Sequence, residues 1–469
     1  MGLNRIMDID DSDDEDLPEL PPDWADSLMA NLQNMPGAPD PETLAAQMRQ
    51  FTDGRGNIDM AKLMQGLRSA LGQASAGRDP SSGMNWTATN LAINKLVASK
   101  GDDPVPPPPG NDMLDAFNLA NSWLDQSVSF DGAMLRLELW NRERWVDKTM
   151  HAWRSMCAPI VSRLGDALVG LAQDNLAHGV AAMQELSGIA DMLVPMMRST
   201  ASEFYSSRLA RAIADLAATT LSGTDAALPL VEPPGVALLP SNITAFTAGL
   251  ATPATETSVY LLLRESARQR LFGATPWLGP QILALIEHYA REITIDPSVL
   301  RDGFEVDQLD QMTPERLAEI SAQVEDRIFR PATSPEQKAI LTRLETLISL
   351  VEGWVETVVN QAASPWLQSA PELTRVMRER PADHALATLV GLELNSRRVR
   401  DAANLWAYLG HERGIDERDA LWRHPDNMPQ AEDLDDVIGF VKRTIEAAPD
   451  AMDAELNWLM DQWRQDDNH

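Results

Sequence analysis

The chain runs to 469 residues with a net charge of −31 and an apolar share of 44 %, enough for a sizeable core and more than one ordinary domain. That charge argues against DNA, RNA or an anionic membrane surface as the main partner, and no run of about 18 apolar residues is present to span a bilayer. A single cysteine, Cys157, rules out an intrachain disulfide and reads as a small buried filler. The first residues are acidic and lack an apolar leader, so a cytoplasmic protein is expected.

Residues 1–22 carry seven acids in the ten positions from Asp8 to Leu17, a composition that favours disorder. Asp23 to Leu32 can form a short amphipathic helix with Trp24, Leu28 and Leu32 on one face, which suits either a weak helix in a floppy acidic tail or a peptide that docks in a partner's groove. Residues 1–40 thus read as a disordered acidic tail bearing one short helix. A small helical N-terminal region is expected over 41–100. Its first two helices meet at Thr52–Asn57, which lacks the closing Glu of a calcium loop and reads as a turn. Its last helix opens at Asn85–Trp86 and runs to about Ser99. The proline-rich stretch over 101–110 reads as an extended spacer and a domain boundary.

From Asn111 onwards the pattern is helical almost everywhere. Met113, Phe117, Ala120, Trp123 and Leu124 make one stripe, while Trp140, Trp145, Met150 and Trp153 read as core packing. Met183, Met192, Met196 and Met197 suit buried filler or an adaptable groove. Residues 224–256 are irregular and proline-rich, the best place for a few short strands.

The strongest helical signal is Val259–Phe272. Tyr260, Leu263, Ala267 and Leu271 form one buried stripe. Arg264 and Arg268, four apart, project from a common face. In a zinc peptidase those places hold histidines with a glutamate between, because His at i and i+4 aims two nitrogens at one metal. Here Glu265 is present and both ligand places are arginines.

Beyond it, Gly279–Pro280 opens a helix to about Ile293 that buries Ile282, Leu285, Ile286 and Tyr289. Arg397, Arg398 and Arg400 suit a charged helix face. The acids from Glu432 to Asp436 favour a helix start at Val437, with a calcium site as second choice. A last helix over 447–469 carries Met452, Leu456, Leu459, Met460 and Trp463 on one stripe, and either docks on the body or binds a partner.

The central helix, read with Val236–Phe246, Thr275–Pro280, Leu283–Tyr289, Ser334–Ala339, Arg343–Val355, Leu389–Leu394, Arg397–Trp406, Arg418–Pro425 and Glu432–Asp436, resembles the zincin-like metallopeptidase type 2 family of bacterial proteins. Its members are described as zinc-dependent hydrolases of undefined substrate. The resemblance implies a mainly α fold: a zincin-like helical domain with little β over 111–446. In the thermolysin-like arrangement the third ligand arrives on a following helix, and counting on from Arg268 lands on His288, with Glu287 beside it. All three ligand places therefore read as substituted.

A guanidinium has no lone pair to offer a metal, and two of them repel a dication. No two of the seven histidines lie three or four apart. No cofactor is therefore expected, and Glu265, the water-polarising base of the parent chemistry, becomes vestigial. Arg264 or Arg268 is expected to pair with Glu265, Glu287 or another carboxylate, since a buried unpaired cation is costly. No nucleophile elbow, P-loop or dinucleotide fingerprint occurs. The favoured reading is a catalytically inactive zincin-fold protein that binds a protein partner of unknown identity. The rival is a zinc-dependent metallopeptidase with a non-standard site.

Overall fold

A computed structural model describes residues 77–79, 82–132, 134–179, 187–232, 235–294, 334–380 and 395–446. All belong to one of the two compact units into which the chain divides, residues 75–299 with 325–469. The expected helix of Trp24, Leu28 and Leu32, the helices of 41–75, Met183 and the last helix of 447–469 lie outside the described residues. So do the side chains of Met192, Met196 and Met197.

The described residues are mainly α, as expected. They form thirteen α-helices and one two-stranded sheet. Helix α1 (Trp86–Ser99) starts where the Asn85 side chain accepts the Ala88 amide at 3.0 Å. It buries Trp86, Ile93 and Val97, and Thr89 meets Ser206 of α4 (Ser187–Thr219) at 2.7 Å. The proline-rich stretch that follows lies inside this same unit. Asp102 accepts the amides of Arg142 and Glu143 at 3.1 and 3.0 Å, satisfying the first turn of α3 (Arg142–Gly179). Helix α2 (Asn111–Leu124) then buries Phe117, Ala120 and Leu124 of the expected stripe, and leaves Met113 and Trp123 half-buried.

Strand β1 (Arg136–Leu139) pairs in parallel with β2 (Gly235–Leu238), Leu137 opposite Val236. The second strand falls in the irregular stretch where short strands were expected; the first falls where the pattern was read as helical, although Leu135, Leu137 and Leu139 alternate with Arg136 and Glu138. On the other side of β2, Gly223 donates to the Ala237 carbonyl and Leu239 to that of Leu221, both at 3.0 Å. The loop 221–225 is thereby laid against the sheet.

Short α5 (Pro240–Thr247) leads to α6 (Ala254–Ala274). Every residue of α6 from Val259 to Phe272 is buried, so the single apolar stripe read from the sequence is too narrow. The helix has neighbours on several sides: α2, strand β2 and α8 (Pro335–Ala363). Its charged residues survive burial only by pairing.

Helix α7 (Leu278–Arg291) buries Ile282, Leu285, Ile286 and Tyr289 as expected. Helix α8 opens with a capping box, Ser334 and Gln337 each accepting from the other's backbone amide, and Pro335 at its first position. Midway along α8, three consecutive residues face three neighbours. Glu352 meets α6. Gly353 lets α10 (Ser396–Arg413) approach so closely that a Cβ would sit 2.6 Å from the Ala403 nitrogen. Trp354 donates its indole N–H to Asp419 of α11 (Ile415–Ala420) at 2.8 Å. Helices α9 (Ala370–Glu379), α12 (Ala431–Asp435) and α13 (Val437–Glu446) complete the unit. Asp436 accepts the Gly439 amide at 3.0 Å, so the last acid of the run starts α13, while Glu432, Asp433 and Asp435 lie within α12.

Cys157 is fully buried beside Tyr205, and burial pushes its thiol up to about 12, an inert filler as expected. Among the described residues no helix is long and apolar enough to cross a membrane.

Candidate functional site

Arg264 and Arg268, one turn apart on α6, both reach Glu352 on α8. Arg264 donates Nη2 to Oε2, while Arg268 holds Oε1 through Nε at 2.8 Å and Nη2 at 2.6 Å. The two arginines are only 5 % and 1 % exposed. Burial alone would push Glu352 up, but Arg268 and Arg264 hold its carboxyl below the ordinary value. Burial likewise works against the cation of Arg264, and Glu352 reverses this, so its proton is held more tightly than usual.

Glu265 lies fully buried on an adjoining face of α6. Ser222 Oγ donates to it at 2.7 Å, Thr224 through its amide at 3.2 Å and its hydroxyl at 2.9 Å, and Gln269 Nε2 at 3.3 Å. Arg268 Nη1 stands 3.6 Å away. Burial pushes Glu265 up, and Arg268 with the two hydroxyl side chains offsets this only in part. Both carboxylate oxygens therefore face protein donors supplied by the loop that β2 positions.

Next in that loop Asp225, its side chain 5 % exposed, accepts from Arg380 Nη1 at 2.8 Å and lies 3.8 Å from Arg268. Burial opposes its charge, yet Arg380 and Arg268 bring it down to about 2. Two residues on, Ala227 holds φ 57°, a left-handed conformation that an L side chain adopts at a cost. Charges thus alternate in a row: Arg380, Asp225, Arg268, Glu352, Arg264.

The structure brings Arg264, Glu265 and Arg268 together, and leaves Glu287 and His288 apart. Glu287 is exposed, and His288 faces Glu336 at 3.7 Å on the outer side of α7. The carboxylate opposite the arginines is Glu352, so the place counted to His288 needs correction. Spacing along the chain failed because α7 turns Ile282, Leu285 and Ile286 inward at that level, and α8 supplies the third group instead. One signal was available: Glu352 is the lone charge in the apolar helical run from Leu347 to Val355. Ser222, Thr224, Asp225 and Arg380 carried no comparable signal. Asp433 and Asp435 face Arg443 and Arg398, both at 2.5 Å, rather than each other.

Zinc asks for lone pairs from imidazole, thiolate or carboxylate. Here two places offer only N–H donors, the third carboxylate is held by both guanidiniums, and Glu265 is taken up by hydroxyls and an amide. Among the described residues no group of three or more His, Cys, Asp or Glu side chains could hold a metal ion. This donor set does not fit zinc.

A model of the zincin-like metallopeptidase family matches residues 84–441 of this chain. A solved crystal structure from Chloroflexus aurantiacus, of a novel fold and named only provisionally as a hydrolase, aligns over 77 % of this chain and 98 % of its own. The TM-score is 0.52 at 16 % identity, a likeness of fold alone. No curated protein matches.

Proposed function

We propose, from the premise that this chain belongs to the zincin-like metallopeptidase family, that it is a non-catalytic member serving as a cytoplasmic protein-binding or scaffold module. One observation carries this reading: the side chains of Arg264 and Arg268 close on Glu352, so a salt-bridged triad takes the place of a metal. Glu265 supports it. A general base must reach a water, and this carboxylate is sealed beneath Ser222 and Thr224. Lacking a metal to acidify a water, a carboxylate sealed from solvent has no nucleophile to activate.

Metal analysis of the purified protein, with a peptidase assay on wild type and Glu265→Gln, tests the loss of catalysis. The expected result is no stoichiometric zinc and no activity that depends on Glu265. Near-stoichiometric zinc with activity abolished by Glu265→Gln would make the chain a peptidase instead. A gain-of-binding variant tests the geometry. Arg264→His with Arg268→His leaves Glu352 in place as third ligand, and should take up about one zinc per chain. For partner binding, affinity capture with and without residues 1–40 assigns the contribution of Trp24, Leu28 and Leu32; the expected result is a specific protein lost from the shortened chain.

A further inference from the structure

We propose that the cavity between α3, α7 and the loop 228–232 binds a zwitterionic aliphatic ligand of dipeptide size, its carboxylate on Lys148 and His151 and its amine on Glu232. The cavity measures about 610 Å³, within the ordinary range for a small-molecule site. Trp140, Met156, Leu228, Leu230, Ile282 and Leu283 give it apolar walls. None of Arg264, Glu265, Arg268 or Glu352 lines it, so the proposal does not rest on the loss of catalysis.

Three observations select this ligand. The first is where the rim carries its charges. Lys148 and His151, three apart on α3, are exposed on one face of that helix, and neither forms a salt bridge among the described residues. Glu232, also exposed, belongs to the separate wall that the loop supplies. The other acid of the rim, Glu138, is already engaged, because one of its oxygens accepts from the Trp140 indole and from Arg144, both at 2.8 Å. A ligand of a single sign would be drawn to one wall and repelled by the other. Separated charges of both signs satisfy the two walls together. The second observation is the apolar surface lying between them, which asks that the two charges be joined by an aliphatic body. The third is the backbone. Leu228 and Leu230 follow a turn that holds Ala227 at φ 57°, a conformation kept at a cost, and such strain gathers at segments that clamp ligands.

Calorimetric titration of the full chain with leucyl-leucine tests this, and the expected result is saturable one-to-one binding. N-acetyl-leucyl-leucine, which lacks the amine, and leucyl-leucine amide, which lacks the carboxylate, should each bind about tenfold more weakly. Glycyl-glycine, with both charges but no aliphatic body, should also lose at least about tenfold. Glu232→Gln should weaken leucyl-leucine about tenfold and leave the acetylated form unchanged. Lys148→Gln with His151→Gln should weaken leucyl-leucine to a similar degree and leave the amide unchanged. All three residues are exposed, so the fold does not hinge on them, and circular dichroism of each variant checks this. Absence of saturable binding overturns the proposal. So does equal binding of the three leucyl ligands, or an affinity that none of the substitutions changes. A preference for the acetylated form would make this an anion site, and a preference for the amide a cation site; either result overturns the proposal as well.

Discussion

Two buried arginine–carboxylate clusters lie either side of Gly353, and they differ in how completely they are satisfied. On the α11 side, Arg418 forks onto Asp419 at 2.7 and 3.0 Å and donates to the Ser127 carbonyl at 2.7 Å. Asp419 also accepts the Trp354 indole at 2.8 Å and the Ser129 amide at 2.8 Å, while the Arg418 guanidinium lies 5.9 Å over the Trp354 ring. One cation meets one anion, and the surrounding donors and acceptors are used. On the α6 side, two arginines share Glu352, and Glu265 and Asp225 crowd behind them. Arg264 Nε, Ser266 Oγ and Gln269 Oε1 are left without a hydrogen-bond partner among the described residues. Native interiors rarely leave such groups unmet without a reason. The first cluster is a staple that ties the 127–129 loop to α8 and α11. The second is the cluster on which the proposed loss of catalysis rests, and its polar groups only partly satisfy one another.

The largest effect should come from the staple. Asp419→Ala strands a buried guanidinium and leaves the Trp354 indole and the Ser129 amide unmet, at a cost of about 4–5 kcal/mol in urea unfolding. Glu352→Ala should cost somewhat less, about 3 kcal/mol, because Arg268 keeps Glu265 and Asp225 within 4 Å. The comparison sharpens with a triple change. Arg264→Met, Arg268→Met and Glu352→Leu together should restore stability to within about 1 kcal/mol of wild type, since an apolar set can replace a buried triad. A triple variant as unstable as Asp419→Ala would break the distinction.

Acid titration should separate the carboxylates of the site itself. Asp225 falls from an ordinary 3.8 to about 2, so its contribution is complete above pH 3.8 and is lost as pH drops toward 2. That amounts to about 2 kcal/mol. Glu352, also lowered, acts in the same sense. Glu265 is raised, so its contribution is complete below an unfolded value of 4.5 and declines as pH climbs through its folded value. Glu265→Gln should therefore gain stability relative to wild type as pH rises above 4.5; a difference between the two that stays flat with pH would contradict this. The smallest effect belongs to the surface. Arg375, between Glu372 and Glu379 on α9, is exposed, and Arg375→Ala should leave the urea midpoint unchanged.

Reading the residues alone was enough for the elements whose cause is local. Helix α1 follows from an Asn cap and an apolar stripe, α2 and α7 from their buried periodicity, and α13 from the acidic run before it. The unsuitability of Arg264 and Arg268 as metal ligands is likewise visible in the sequence, because a guanidinium lacks a lone pair wherever it sits. Only the tertiary structure decided which acid meets them. Periodicity says which face of a helix a side chain occupies, and says nothing about which distant helix packs against that face. Glu352 lies 84 residues from Arg268, and reaches it because α8 packs along α6. The same holds for the partner of β1, whose alternation of Leu135, Leu137 and Leu139 with Arg136 and Glu138 is local but whose pairing with β2 is not, and for the sealing of Glu265, which depends on a loop held by that sheet. Local chemistry is a property of the residue, but its partner is a property of the packing.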